Sequence, residues 1–346
     1  MAESNGGTRG KAAKPNWYKD LLDYRQPHLG KALWQLLNTF IPYLALWILM
    51  VWLVEREYSY FITVAFATVA AALLIRIFIF FHDCTHGSFF ASHRANRILG
   101  YLTGILTFTP FEEWRHLHLA HHAAAGDLDH RGKGDIWTMT VDEYLAAPRL
   151  KRLGYRLARN PLIMLGLGPT AIFLITSRFS HRGARKEERL NVLFTNLAIL
   201  AVILIFSFTI GLRTYLLIQL PIIFISGVIG IWLFYVQHQF EGVYWARQEV
   251  WDPLKAALQG SSYYKLPRVL QWFTGSIGLH HIHHIQPRIP NYNLQKCCEA
   301  IPELREVHPL TLRRSLKSLW LNLWDEKQQK LVSFRSLKSI SLTENP

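Results

Sequence analysis

Residues 33–54 read LWQLLNTFIPYLALWILMVWLV, 22 positions without a charge, and residues 58–81 read YSYFITVAFATVAAALLIRIFIFF, with Arg76 as the one charge. Each run is long enough to cross a hydrocarbon core about 30 Å thick as an α-helix. Only Glu55, Arg56 and Glu57 stand between them. The arrangement recurs: residues 191–211 and 214–237 are uncharged and are separated by Leu212 and Arg213. Four such runs in two close pairs predict transmembrane hairpins at 33–81 and 191–237. Two other apolar stretches, 98–111 and 161–177, are interrupted by Gly or Pro. They are too short or too broken to span, and predict interfacial or re-entrant helices.

The composition agrees. Half of the 346 residues are hydrophobic and 18% are charged, below the roughly 25% of a soluble domain. Mean hydropathy is +0.10. A disordered chain, a fibrous repeat and a disulfide scaffold are excluded. Cys84, Cys297 and Cys298 form no C-x-x-C pair, which predicts a reducing compartment. The polar N-terminus, MAESNGGTRGKAAKPNWYKD, has no apolar core of a cleaved leader.

The net charge is +14, and its placement predicts orientation. Six Lys/Arg precede residue 33, fifteen fall in 82–190 and fourteen follow 238, against one in each hairpin turn. By the positive-inside rule, segments 1–32, 82–190 and 238–346, with both termini, face the cytoplasm of what would be a bacterial inner membrane. Topology then accounts for most of the charge without a nucleic-acid partner. Segments 82–190 and 238–346 are together large enough for a helical cytoplasmic cap with its own core.

The chain has 16 histidines, and eight of them cluster. They stand in His82-Asp-Cys-Thr-His86, in His118-Leu-Ala-His121-His122 and in His280-His281-Ile-His283-His284. Positions i, i+3 and i+4 share one helical face, so the spacing aligns two imidazoles in the first cluster and three in each of the others. A lone histidine near a membrane end is usually a surface residue. Imidazoles this dense have little use except as metal ligands, since their charged forms repel. Eight exceed one coordination sphere, so two metals are implied. Carboxylate-bridged di-iron bundles carry two Glu-x-x-His motifs. This chain has one, Glu113-Trp-Arg-His116. A structural zinc site would favour cysteine, and a zinc hydrolase needs three ligands and a base. Two histidine-rich irons beneath a membrane point to oxygen chemistry.

These boxes resemble those of the membrane-bound fatty acid desaturases, H-x(3,4)-H followed by two H-x(2,3)-H-H. The flanks are similar to the acyl-lipid Δ12 (ω-6) branch: Thr109-Pro-Phe-Glu-Glu-Trp114-Arg-His-Leu-His118, Gly126-Asp127-Leu-Asp129, Val236-Gln-His238-Gln-Phe-Glu-Gly and His283-His284-Ile-Gln-Pro287-Arg-Ile-Pro290-Asn291-Tyr292. The resemblance covers roughly residues 30–310. It implies an all-α integral membrane enzyme with four transmembrane helices and a cap carrying a di-iron centre. It adds His238 to the ligands, giving His82, His86, His118, His121, His122, His238, His280, His283 and His284. It also implies the reaction: O2 takes two external electrons and two protons, and two hydrogens leave adjacent methylenes to give a cis double bond.

Other residues follow from position. Asp83, Asp127, Asp129, Asp135 and Glu241 are candidates to orient imidazoles through their second N–H. His281 and His116 lie off the ligand faces. His93 and His130 read as surface or supporting residues, His28, His181 and His308 as ordinary ones. Asn291 would hold the chain after the third box, and Cys84 reads as packing. No G-x-G-x-x-G loop or fused haem domain is present, so electrons must come from a separate carrier. A small acidic one such as ferredoxin suits a basic face. An acyl-chain hydroxylase would use the same boxes. From another class, a histidine-rich metal transporter would place its ligands near the bilayer midplane, inside the spans.

Overall fold

The computed structural model describes residues 14–132 and 134–337; the leader reading falls mostly on residues 1–13, which with Lys133 and residues 338–346 lie outside the described residues. The helices that position the site are α1 (Leu29–Glu55), α2 (Tyr60–Thr85), α3 (His93–Leu106), α4 (Phe111–Ala124), α5 (Val141–Ala146) and α6 (Arg149–Ala158). There follow α7 (Lys186–Thr209), α8 (Leu212–His238), α9 (Pro253–Gln259), α10 (Arg268–Phe273), α11 (His280–Ile285) and α12 (Asn291–Ala300).

Four of these, α1, α2, α7 and α8, are long and apolar enough to cross a membrane. The turn after α1 is closed by the Arg56 N–H donating to the Trp52 carbonyl, with Glu57 in the left-handed region. Between α7 and α8 the reversal needs Gly211, whose φ of 82° a side chain would strain. α2 is the most buried of the four and packs against α1, α3 and α8. Its Ala67, Ala70 and Ala71 let Ile218 and Ile222 of α8 come close in one core. α1 exposes Leu37, Ile41, Leu44 and Ile48, and α7 exposes Leu193, Leu197, Leu200 and Leu204. Stripes of that spacing on helices charged only near their ends are stable against an apolar solvent and not against water.

Arg76, the charge inside an apolar run, is buried in α2. Its Nε donates to Thr39 Oγ1 at 3.1 Å, a second nitrogen donates to the Trp272 carbonyl, and the guanidinium lies 4.2 Å from a ring centroid of Trp272. Two of the guanidinium nitrogens thereby find partners within the protein, and α10 is fixed against α2.

The helices outrun the apolar runs. Polar residues continue α2 through Thr85, so His82 and Asp83 belong to its last turn, and α8 ends on His238. The first cluster therefore begins inside a long helix, as does the added His238, while the second and third lie in α4 and α11. Residues 98–111 fall mainly in α3, a two-faced helix capped by the Ser92 hydroxyl accepting from the Ala95 N–H. Residues 161–177 form two π-helical turns, Ile163–Leu167 and Thr170–Ile175, which bend 65° from α6. Pro169 separates the turns, since it offers no N–H to the ladder. They pack against α8 at Gly227. The all-α expectation needs one correction. Five strands of two or three residues are present: β1 (Met139–Thr140), β2 (Tyr263–Lys265), β3 (Pro309–Thr311), β4 (Leu323–Asp325) and β5 (Lys330–Val332). β4 pairs with β1 and β5, and β2 with β3, which ties the C-terminal part of the cap to its central part. Runs this short carry no alternation that a sequence can display.

A methyl added at Gly227 would lie 2.7 Å from Pro169 Cβ and 3.2 Å from the Phe173 ring, whereas one at Gly154 in α6 meets nothing within 4 Å. Gly227→Ala is expected to lower stability by about 1–3 kcal/mol through overpacking. Gly154→Ala is expected to be neutral or to raise stability by up to about 1 kcal/mol. Unfolding midpoints of the detergent-solubilised protein distinguish the two.

Candidate metal centre and its cavity

Four elements deliver imidazoles to one place. The end of α2 brings His82, with His86 at its C-cap. α4 brings His118, His121 and His122, and its first turn carries Glu112 and Glu113, which suit the positive end of the helix dipole. The last residue of α8 is His238, and α11 brings His280, His283 and His284. α11 has only six residues and needs support. Asp83 Oδ2 supplies it, accepting from the Asn291 backbone N–H at 2.7 Å and from its amide at 2.8 Å, while Gln35 donates to Asn291 Oδ1 at 2.9 Å. The carboxylate beside His82 thus pins the chain that follows the third box.

The nine imidazoles form two groups. Ligand nitrogens of His82, His86, His118, His122 and His283 lie within 4.8 Å of one another, and so do those of His121, His238, His280 and His284. Three Nε2···Nε2 separations within each group are 3.0 or 3.1 Å. Two metal–nitrogen bonds of about 2.1 Å at right angles place their nitrogens about 3.0 Å apart. The crowding matches the spacing that ligands take around a cation, and both nitrogens of His82 are buried without a hydrogen-bond partner. Burial first, and the neighbouring imidazoles second, hold His118, His122, His280, His283 and His284 well below the usual histidine range. They are neutral, which is the form that binds a metal. An all-imidazole set suits iron, zinc, copper or nickel.

The second nitrogens are only partly served. His121 Nδ1 is bonded to the Asp135 carboxylate, His238 Nδ1 donates to the Gly260 carbonyl at 3.2 Å, and His82 Nδ1 lies 3.4 Å from Asp83. Of the five acids named from sequence, Asp135 bonds a box imidazole, whereas Asp83 lies near His82 without a hydrogen bond and holds Asn291 instead. Asp127 bonds His130, Asp129 bonds Arg247 and the Gln248 N–H, and Glu241 is exposed beside Lys317. His281 points away from both groups. Its Nε2–H donates to the Leu304 carbonyl at 3.0 Å, and burial lowers its pKa to about 4. His28 caps α1 by accepting from the Lys31 N–H. Cys84 packs with Phe80, Phe89 and Phe111. His116 and His181 stack on each other in a separate group with Glu113 and Glu188.

An apolar tunnel lined by aromatic residues is what an acyl substrate requires, but the residues of its wall, Trp114 among them, were not named from sequence. An apolar cavity of about 440 Å³ is lined by Leu74, Phe78, Trp114, Phe173, Ile223 and Phe234, with His118 and Asp135 in its wall. The Trp114 ring stacks on His118 at 4.2 Å and 18°, and its edges meet Phe78 and Phe81. The i, i+4 spacing of Trp114 and His118 was the available signal. A cleft of about 680 Å³ on the cap and an apolar cavity of about 450 Å³ between α1, α3, α7 and α8 contain none of the nine histidines.

The family model for fatty acid desaturases matches residues 58–315, a span that holds all nine histidines and most of the cavity wall. This chain belongs to the fatty acid desaturase family. It is 50% identical to a fatty acid desaturase of Bacillus subtilis over 95% of its own length and 93% of the relative's. It is 25% identical to an sn-1 oleoyl-lipid 12-desaturase of a Picosynechococcus over 66% of each chain. It is 26% identical to an sn-1 acyl-lipid omega-3 desaturase (ferredoxin) of a Nostoc over 72% of its length and 69% of the relative's. The desaturase is accordingly an oxidoreductase, and its four long apolar helices fit a multi-pass membrane enzyme.

Removing a carboxylate that orients a ligand typically costs 10–100-fold in metal affinity. Asp135→Ala should reduce metal retention by about that factor, because His121 loses its partner. Asp127→Ala, which touches no box imidazole, should leave retention unchanged. Competition with a chelator, read by metal analysis, measures both.

Proposed function

We propose that this desaturase introduces a cis double bond into an acyl chain of a membrane lipid, with two irons held by His82, His86, His118, His122 and His283 and by His121, His238, His280 and His284. The observation that carries the reading is the pair of imidazole groups, at ligand spacing, in and beside the wall of an apolar cavity. Iron held there would supply the activation of O2: two electrons and two protons from outside, with two hydrogens from the substrate, balance O2 to two waters.

The chain's own residues set the conditions for that chemistry. The neutral imidazoles keep their lone pairs turned inward. Asp135 and the Gly260 carbonyl fix which nitrogen of His121 and of His238 faces the centre. An acyl chain has no polar handle at mid-length, so Leu74, Phe78, Phe173, Ile223 and Phe234 can select a position only by shape. The same residues exclude water from an oxidising site, and alignment within reach of the reactive centre is itself a large part of catalysis. Position 12 of a monounsaturated acyl-lipid is the regiochemistry favoured by the box flanks and by the names of the cyanobacterial relatives. The ferredoxin named for the Nostoc relative supports a small acidic carrier as electron donor.

The reading includes an orientation. With α1 to α2 and α7 to α8 crossing the membrane, the two connecting turns face outward and the boxes face the cytoplasm. All nine ligands share one compartment only if an even number of spans separates the first box from the third.

Gas chromatography of lipids from a host with and without the protein, with double bonds located by mass spectrometry, tests the activity. A new diene at position 12 is expected; a hydroxylated product would replace the desaturase reading, and an unchanged profile with electron donor supplied would end it. In the same assay His283→Ala should fall to background and His281→Ala should keep most activity, because His281 bonds a backbone carbonyl and no ligand group. For orientation, single cysteines at Glu57 and Arg213 in a cysteine-free background should react with an impermeant reagent from outside. A cysteine at Leu150 should not.

A further inference from the structure

Glu113-Trp-Arg-His116 is a metal-binding motif that finds no second copy, and neither residue joins the nine histidines. In the fold it meets other partners. Glu113 lies in the first turn of α4 and Glu188 in the first turn of α7, and ligand atoms of Glu113, Glu188 and His181 lie within 4.8 Å of one another. His116, one turn after Glu113, has Nδ1 3.6 Å from Glu188 Oε1, and its ring stacks on that of His181 at 5.5 Å and 7°. Two carboxylates and two imidazoles from three parts of the chain therefore converge.

Their charges are incompletely matched. Glu113 is 7% exposed and Glu188 1%. Arg185 bonds both oxygens of Glu188, through its guanidinium and its backbone N–H. Among the described residues, no guanidinium or ammonium pairs with Glu113. Its Oε1 accepts from the His181 backbone N–H and Nδ1, both at 2.7 Å, and its Oε2 is buried without any partner. A buried carboxylate oxygen with no donor is costly to maintain. A divalent cation removes that cost, and mixed carboxylate and imidazole donors suit zinc, manganese or ferrous iron.

We propose that Glu113, His181 and Glu188, with His116 alongside, form a third divalent-cation site, separate from the nine-histidine centre, that clamps the second-box helix α4 to α7. Its role is structural. It fixes the start of α4, from which His118, His121 and His122 project two turns later. Arg185 then stands outside the ligands, balancing the excess negative charge.

The test uses the full-length protein in detergent, first loaded with iron and then titrated with Zn²⁺. Zinc content by mass spectrometry should be one equivalent per chain in the wild type and near zero in the isosteric variant Glu113→Gln, with iron content the same in both. Added Zn²⁺ should raise the thermal midpoint of the wild type and not that of Glu113→Gln. If zinc uptake in Glu113→Gln equals the wild type's, or if zinc leaves the wild-type midpoint unmoved, the cluster is an ion-pair network with a protonated His181 and the proposal fails. Should Glu113→Gln not fold, His181→Ala replaces it with the same readouts. Loss of iron alone in His121→Ala, with zinc uptake intact, would keep the two sites independent; loss of both together would overturn the separation.

Discussion

Nine imidazoles, most of them buried, with ring nitrogens turned toward one another are the constraint on which the rest of the desaturase depends. Nitrogens 3.0 Å apart repel unless a proton or a cation lies between them, and each imidazole has only one proton to offer. The arrangement survives because it is held by parts that do not share its problem. α2 is packed on three sides, α8 is packed against it, and both present histidines where they end. The apolar layer supplies the stiffness, and the cap supplies closure through α11 and Asn291. Stability gained in the helix cores, at about 25 cal/mol per Å² of apolar surface buried, is what a protein uses to hold strained polar groups of this kind.

The legible parts of the sequence were those with a period or a sign. Four uncharged runs marked four helices, and H-x-x-H-H on a helix told His283 and His284 from His281, which indeed turns to the Leu304 carbonyl. Where the physics is short-ranged in sequence, the reading was good: Cys84 packs, and His116 stands off the second-box face. Where it depends on tertiary approach, position in the chain was a poor guide. Asp135 serves His121 across a loop, while Asp127 and Asp129, nearer to the box, turn to His130 and Arg247. Glu241 follows His238 closely and is aimed at solvent. His181 read as ordinary and instead meets Glu113.

The cavity was the least legible feature, because nothing distinguishes a Phe or Leu that lines a space from one that fills it. Its wall is assembled from α2, α4, α8 and two π-helical turns. The turns exist because Pro169 interrupts a ladder, and they fit because Gly227 has no side chain. A sequence displays both residues but not their meeting.

The bridge from Asp83 to Asn291 joins residues 208 positions apart. During synthesis at about 5–20 residues per second, roughly 10–40 s pass between the emergence of its two ends. Until then the first two boxes exist without the third, and α11 has no anchor. The nine imidazoles can therefore meet only once α11 and Asn291 have emerged. A ribosome that stalls after α8 releases a membrane protein that has α2, α4 and α8 but only six of its nine imidazoles. A product truncated there lacks the whole α11 contribution, so assembly of the imidazole set is tied to synthesis of the segment that follows α8.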